Sequence, residues 1–279
     1  MEFQLTDHDF QRLSAFVYKK AGINLHDGKK ELLRARLSKY LRNTNFSSIK
    51  EFYEALLSDK TGEYTVPFLD CISTNLTYFF REAQHFDFLR ETIIPSFLEK
   101  GSGPNGSTRL DIWSAGCSSG EEPYSIAITL LEGIPQRKKS SIHILATDIS
   151  TRMLSEAARG IYPGEKLRAI PTDVKRRYFK RGRNKWEGYF KVKPVLQQII
   201  SFKRFNLMEP FPSSFSFDVI FYRNVMIYFD KQVQEKVVNK FWRAIKPGGY
   251  LFIGHSESLT GINHPFKYVK PSTYQKTPI

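Results

Sequence analysis

Hydrophobic residues recur at two different periods along this chain, and the change of period divides it. Over the first seventy or so residues the apolar positions fall at helical spacing in short blocks. Thr6 stands where an N-cap belongs, ahead of a helix reaching Ala21, with Gly22 as its stop. A second helix, from about Asp27 to Arg42, carries Leu33, Leu37, Tyr40 and Leu41 on one face. Ser48 and Glu51 have the spacing of a capping box and open a third helix through Leu57. A fourth runs from Glu63 to Cys71. After "STNLTYFFRE" comes another helical pattern, from about Gln84 to Leu98, and "GSGPNGST" then reads as a loop.

Beyond that loop the pattern becomes strand, turn and helix in alternation. "RLDIWSA", "IHILATD", "IISFKRFN", "FDVIFYR" and "YLFIGHS" are apolar runs of strand length. "EEPYSIAITLLE", "STRMLSEAA" (with Ser150 as cap) and "KQVQEKVVNKFWRAI" read as helices. The last puts Val233, Val237, Phe241 and Ile245 on its buried side, and "KPGG" after it reads as a turn. Such alternation predicts an α/β fold, with a mostly parallel, Rossmann-like sheet covered by helices on both faces. It follows an N-terminal all-α domain, with the boundary expected at 1–72 and 73–279. A basic stretch, about 164–204, interrupts the alternation. "YFKV" beside "IISFKRF" predicts a small antiparallel β excursion there.

Composition supports a sizeable core: 279 residues, 41% hydrophobic and 14% aromatic. No uninterrupted apolar stretch approaches the roughly 20 residues that a membrane helix needs. "MEFQLTDHDF" has neither the basic start nor the apolar run of a signal peptide. Cys71 and Cys117 lie far apart and form no CxxC pair, which predicts a reduced, cytoplasmic protein without disulfide framework or structural zinc. The formal charge is +14, and between Gly164 and Arg204 13 Lys/Arg stand against 3 Asp/Glu. That imbalance points to a polyanionic or acidic partner, or else to a solvated basic surface. Lys29, Lys30, Arg34, Arg36 and Lys39 flank the apolar face of the second helix on both sides, which suits docking and snorkelling alike.

In open α/β sheets ligands bind at the carboxyl ends of the strands, and four such ends here carry small or polar residues. After the first, "GCSSGEEPYS" places Gly116 and Gly120 in a strand-to-helix turn where a ligand can approach the backbone. No Lys-Ser/Thr follows the second glycine, so this is not a phosphate-binding P-loop. Glu121 and Glu122 suit a cationic group and would repel a pyrophosphate, although helix-start acids also occur without any ligand. Asp148 ends the second strand, where an acidic residue accepts from ribose hydroxyls or simply closes a turn. Asn206 ends the third, as a ligand border or an Asx turn.

The fourth end interrupts the apolar run "FDVIFYRNVMIYFD" with Arg223 and Asn224. Burying both without partners would cost several kcal/mol. Either the strand stops there and the pair faces a ligand, with Tyr228 on the same loop, or Arg223 pairs with a core carboxylate. Together the four ends describe a pocket for an adenosine-like ligand with positive charge and no phosphate cradle. S-adenosyl-L-methionine fits, with its adenosine, amino-acid tail and sulfonium. NAD fits poorly, because its pyrophosphate would meet Glu121 and Glu122.

"STNLTYFFRE", "WSAGCSSGEEPYSIAI", "ATDIS", "FNL", "RNVMIYFD" and "KPGGYLFIGHSESL" resemble, in that order, motifs of the chemotaxis receptor methyltransferases, the CheR family. The resemblance runs from about Thr6 to Tyr274, and "GEEPYS" and "RNVMIYF" are specific to this family among methyltransferases. It implies a cytoplasmic S-adenosylmethionine-dependent enzyme that methylates glutamate side chains on helices of membrane chemoreceptors. The expected protein is a monomer with no membrane insertion, no nucleic-acid partner and no metal. Carried over by motif, Asn75, Thr77 and Arg81 close over the cofactor, with Arg81 on its carboxylate. Glu122 holds its amino group, Asp148 its ribose, and Asn206 and Leu207 border the adenine. Arg223, Asn224 and Tyr228 line the transfer site, where Arg223 or Tyr228 orients the incoming carboxylate.

The insert "KRGRNKWEGYFKVKP" is long enough to take a receptor's C-terminal tether peptide but lacks a glycine-rich turn, so tether dependence stays open. Two rivals share the pocket. A nucleic-acid methyltransferase would commonly carry an Asn/Asp-Pro-Pro-aromatic tetrad at the fourth strand, where this chain has "RNVMIYF". A non-enzymatic adaptor would bind the cofactor only as a regulatory ligand.

Overall fold

The structure, a computed structural model, describes residues 4–100, 109–135 and 141–277. The "GSGPNGST" loop lies outside the described residues. Helices α1 (Asp7–Ala21), α2 (Lys30–Leu41), α3 (Ile49–Ser58) and α4 (Thr65–Ile72) pack their apolar stripes around Leu13, Val17, Leu37, Phe52 and Phe68. Thr6 caps α1 through a reciprocal box with Asp9, and Gly22 closes it at φ 72°. The predicted box of α3 is corrected. Ser48 Oγ accepts from the Glu51 N–H, but the Glu51 carboxylate turns to Ser47, whose N–H and hydroxyl together offer it two donors. The basic residues of α2 are partly engaged: Lys30 pairs with Asp7 and Arg34 with Glu31. Arg36 donates to the carbonyls of Ile72 and Ser73, so it anchors the linker that leaves α4.

After that linker come α5 (Gln84–Phe88), a π-helical stretch (Leu89–Ile93) and α6 (Ile94–Lys100). The alternating region follows as β1 (Leu110–Ala115), α7 (Glu121–Gly133), β2 (Ile142–Asp148), α8 (Thr151–Arg159) and β3 (Ile161–Pro163). Next are α9 (Thr172–Tyr178), β4 (Phe179–Arg181), β5 (Tyr189–Val192), α10 (Pro194–Gln197) and β6 (Ile200–Arg204). The chain ends with β7 (Phe217–Tyr222), α11 (Lys231–Ala244), β8 (Ile245–Ile253), β9 (Lys267–Lys270) and β10 (Thr273–Gln275).

Seven strands form one sheet in the order β6-β2-β1-β7-β8-β10-β9. The first five are parallel, and β10 pairs antiparallel with both β8 and β9. The central strands are largely apolar because both faces are covered, with polar residues such as Asp111, His143 and Asp218 near their starts. Ile112, Ile144 and Phe221 pack with Ile126 and Leu130 of α7, while Trp113, Ile220 and Tyr222 pack with Val237 and Phe241 of α11.

Two sequence expectations are corrected here. β5 pairs antiparallel with β3 and β4, not with "IISFKRF". That segment is β6, a parallel edge strand beside β2, and its Phe202 packs against Tyr124 of α7. The small sheet therefore spans 161–192. "KPGG" is not a free turn either. Ile245 pairs with Phe217 and Tyr250 with Val219, so 246–249 bulges out within β8, helped by Gly248 at φ 79°.

β1 sits between β2 and β7, so the chain winds outward first on one side and then on the other. The crevice at the carboxyl ends of β1 and β7 is the switch point of this order. The N-terminal helices are fastened over it. Ile23 bridges to Phe229, and the Asn24 N–H donates to the Tyr228 carbonyl at 2.8 Å. Asp70 accepts from the N–H groups of Thr151 and Arg152, capping α8 from the other domain.

Candidate active site

A cavity of about 440 Å³ opens at the switch point, within the range of about 300–1,000 Å³ typical of small-molecule sites. Asn75, Thr77, Arg81, Glu122, Asp148, Asn206, Leu207, Arg223, Asn224 and Tyr228 all line it. They arrive from the linker after α4, the start of α7, and the ends of β2, β6 and β7.

The turn after β1 needs its glycine. Gly116 has φ +98°, and a Cβ there would come 2.3 Å from Val225 Cγ2, so only glycine lets the loop after β7 close on this turn. The two glutamates opening α7 part company. Glu121 is fully buried and accepts from Ser119 Oγ and Lys166 Nζ, away from the cavity. Glu122 lines the cavity; its Oε1 accepts from Ser114 Oγ at 2.7 Å and its Oε2 lies 3.3 Å from Arg223 Nη1. Burial pushes the Glu122 carboxyl above its ordinary value, and the Arg223 guanidinium opposes that push. Asp148 is likewise pushed up by burial, against the N–H groups of Ser150 and Ser118 that its carboxylate accepts at 2.9 and 2.8 Å.

Asn206 has both polar ends engaged. Its Oδ1 accepts from the Met208 N–H at 3.0 Å, an Asx turn, and its Nδ2 donates to the Lys20 carbonyl at 2.7 Å. Leu207 beside it is 8% exposed. Arg81 donates from Nη1 to the Leu76 carbonyl at 3.0 Å and keeps about a quarter of its side chain exposed.

Arg223 answers the question its apolar surroundings raised. Its side chain is 1% exposed and lies 3.1 Å from Glu82 Oε2, with Glu122 on its other side and the Arg81 carbonyl accepting a further bond. Arg223 pairs with carboxylates and also lines the cavity, so the two readings do not exclude one another. Burial pushes the Glu82 carboxyl up, but Arg223 and the other donors bring it below its ordinary value. Asn224, at φ 58°, donates its side-chain amide to Glu82 Oε1 at 3.3 Å and its backbone N–H to Glu257 at 3.0 Å. Tyr228 is half-buried, donates to the Thr74 carbonyl at 3.4 Å, and has its phenol pKa pushed up by burial.

Sequence reasoning missed Glu82, Glu257 and a wall built from Asn24, Leu25, His26 and Lys29 of the N-terminal domain. Glu82 and Arg223 are 141 positions apart, so no local spacing exposes their pairing. Glu82, His85 and His255 bring potential ligand atoms within 4.8 Å of one another. Both Glu82 oxygens already accept from Asn224 and Arg223, however, and the adjacent guanidinium disfavours a cation.

Residues 75–275 match the family described as CheR methyltransferase, SAM binding domain, and residues 8–73 match CheR methyltransferase, all-alpha domain. The chain belongs to the CheR methyltransferase family. Among its relatives, a chemotaxis protein methyltransferase of Borreliella burgdorferi is 42% identical over 278 residues, covering 99% of this chain and 96% of that one. One of Klebsiella aerogenes is 39% identical, covering 96% and 89%, and one of Escherichia coli is 37% identical, covering 94% and 88%.

The cofactor of this CheR methyltransferase is S-adenosylmethionine, and the donor set suits it. Two carboxylates, Glu122 and Asp148, face a cavity of nucleoside size, and the loop after β1 has no phosphate-binding lysine. Among the described residues no helix is long and apolar enough to cross a membrane.

Proposed function

We propose that this methyltransferase esterifies glutamate side chains on the cytoplasmic helices of membrane chemoreceptors, acting as a monomer on the cytoplasmic side. The observation that carries this reading is the convergence of all ten motif-derived positions on one cavity. In it Glu122 holds the cofactor's amino group, Asp148 its ribose and Arg81 its carboxylate, while Asn75 and Thr77 close over it. Asn206 and Leu207 border the adenine. When bound, S-adenosylmethionine supplies an electrophilic methyl group.

A glutamate acceptor has an unperturbed pKa of about 4.3, so it arrives as a carboxylate and needs no general base. Catalysis then rests on position and exclusion of water, for which effective molarities of about 10⁵ M or more are known. Arg223 is already shared between Glu82 and Glu122, so we assign it chiefly to fixing Glu122. Orientation of the incoming carboxylate falls to Tyr228. Its raised pKa keeps the phenol protonated as a donor. A neutral donor also suits the chemistry, because the acceptor loses its charge in the transition state and should not be held too tightly beforehand.

The 161–192 insert, rich in Lys and Arg, supports the reading of an acidic receptor partner. Incubation with methyl-labelled cofactor and receptor membranes tests the whole proposal. Base-labile label on receptor protein is the expected result; label on RNA would favour a nucleic-acid enzyme, and no label an adaptor. Repeating the assay with tail-clipped receptors reads tether dependence directly.

A further inference from the structure

We infer that Glu257 is a positioning residue for the loop carrying Asn224 and Tyr228, and that its carboxylate sets where those side chains stand. The inference rests on reading that loop as the transfer site. Glu257 follows β8, is 8% exposed, and does not itself line the cavity. Its Oε2 accepts from the backbone N–H groups of Gly254 at 2.6 Å and Asn224 at 3.0 Å, and its Oε1 from Ile227 at 3.3 Å. One carboxylate therefore ties the end of β8 to the loop that leaves β7.

Several features show a clamp that is built rather than incidental. Hydrogen bonds to an ionised acceptor are roughly twice as strong as neutral ones, and a buried carboxylate is tolerated only when so satisfied. Asn224 sits at φ 58°, a left-handed region that non-glycine residues seldom adopt and asparagine tolerates better than most. It is held there from two sides, its backbone by Glu257 and its amide by Glu82. The space is filled: a Cβ on Gly254 would lie 2.5 Å from Asn224 Nδ2 and 2.9 Å from Glu257 Oε2. Further along the loop, Val225 packs on Gly116 and Tyr228 reaches Thr74. Releasing the clamp lets Asn224 relax and moves Tyr228 relative to the cofactor loop.

The test is Glu257→Gln in the full chain, which offers one acceptor oxygen where the carboxylate offers two. Turnover on receptor membranes at saturating cofactor is expected to fall about 10- to 100-fold, the scale of a small misplacement at the reacting centre. Calorimetric affinity for S-adenosylmethionine should change by less than roughly threefold, the signature of a loss confined to the transition state. Asp59→Asn is the matched control. Asp59 also accepts several backbone N–H bonds, but it lies outside the cavity lining, so that variant loses stability and keeps its turnover.

Should Glu257→Gln not fold, Glu257→Asp keeps the charge, withdraws it by one methylene, and should fall in the same direction. Wild-type turnover in the foldable Glu257 variant overturns the inference. So does a parallel loss of turnover, affinity and melting temperature, the pattern of a residue that only holds the fold together. Wild-type turnover in Tyr228→Phe would instead sink the assignment of the loop as the transfer site, leaving the two failures distinct.

Discussion

Replacing Glu82 with Gln probes the buried charge network at its least local link. Glu82 Oε2 takes two donors from Arg223, Nε at 3.3 Å and Nη2 at 3.1 Å, while Oε1 takes Asn224 Nδ2 at 3.3 Å. An amide keeps one acceptor and turns its NH₂ toward a donor, whichever way it flips. Removing the sole partner of a buried charge costs about 3–5 kcal/mol. Glu122 remains as a second partner at 3.3 Å, so the loss should be nearer 2–3 kcal/mol, on the scale of about 1.5–3 kcal/mol for hydrogen bonds to charged groups. With about 2.1 cal/mol/K of unfolding entropy per residue, that lowers the melting temperature by ~3–5 °C. The change also leaves Arg223 wholly to Glu122, which weakens Glu122 as an acceptor for a cation. Affinity for S-adenosylmethionine should fall about tenfold, or ~1.4 kcal/mol. Thermal unfolding and titration calorimetry read the two effects separately. An unchanged melting temperature would mean that Glu82 does not hold Arg223. Lost stability with unchanged affinity would break the link from Arg223 to Glu122.

Three further outcomes are expected. Tyr228→Phe should lower turnover about tenfold while changing cofactor affinity less than twofold, as for a group acting mainly in the transition state; calorimetry and labelled-methyl turnover check it, and the reverse pattern would put Tyr228 in the cofactor site. Turnover should stay flat from about pH 6.5 to 8.5, because a glutamate acceptor is ionised throughout, burial and Arg223 hold His85 neutral down to about pH 3, and the phenol of Tyr228 is pushed up. A steep rise near pH 7 to 8, not traceable to substrate binding, would reveal a general base. Asp59→Asn should destabilise the protein by about 1–2 kcal/mol near neutrality, the scale of a lost cap. Burial works against the Asp59 carboxylate, but its backbone donors hold the pKa well below its ordinary value. Its stabilisation is therefore complete above the unfolded pKa near 4 and fades as pH falls further, so the gap between variant and wild type in urea melts should close in acid.

The sheet was readable because each buried strand is an apolar run of strand length and each helix shows its own period; both are local properties. The site was readable for a related reason. An α/β sheet gathers its strand ends on one rim, so Asp148, Asn206 and Arg223 had to approach one another whatever the details of packing. What a side chain does on that rim is a tertiary matter. Arg223 could be read as facing a ligand or as paired, and its partners could not be named because Glu82 and Glu122 lie 141 and 101 positions away, counted from their residue numbers. Asn206 lines the cavity as expected, but that Lys20 and Met208 take both its polar ends could not be read from the sequence. The misassigned partner of β5 has the same origin: "YFKV" and "IISFKRF" are close in sequence, but the parallel edge beside β2 has room for an apolar strand and claims the second. Polar residues at strand ends thus identify a site by topology alone. Dividing them between those that meet a ligand and those that hold the others in place requires the distant carboxylates, and Glu82 and Glu257 belong to the second group.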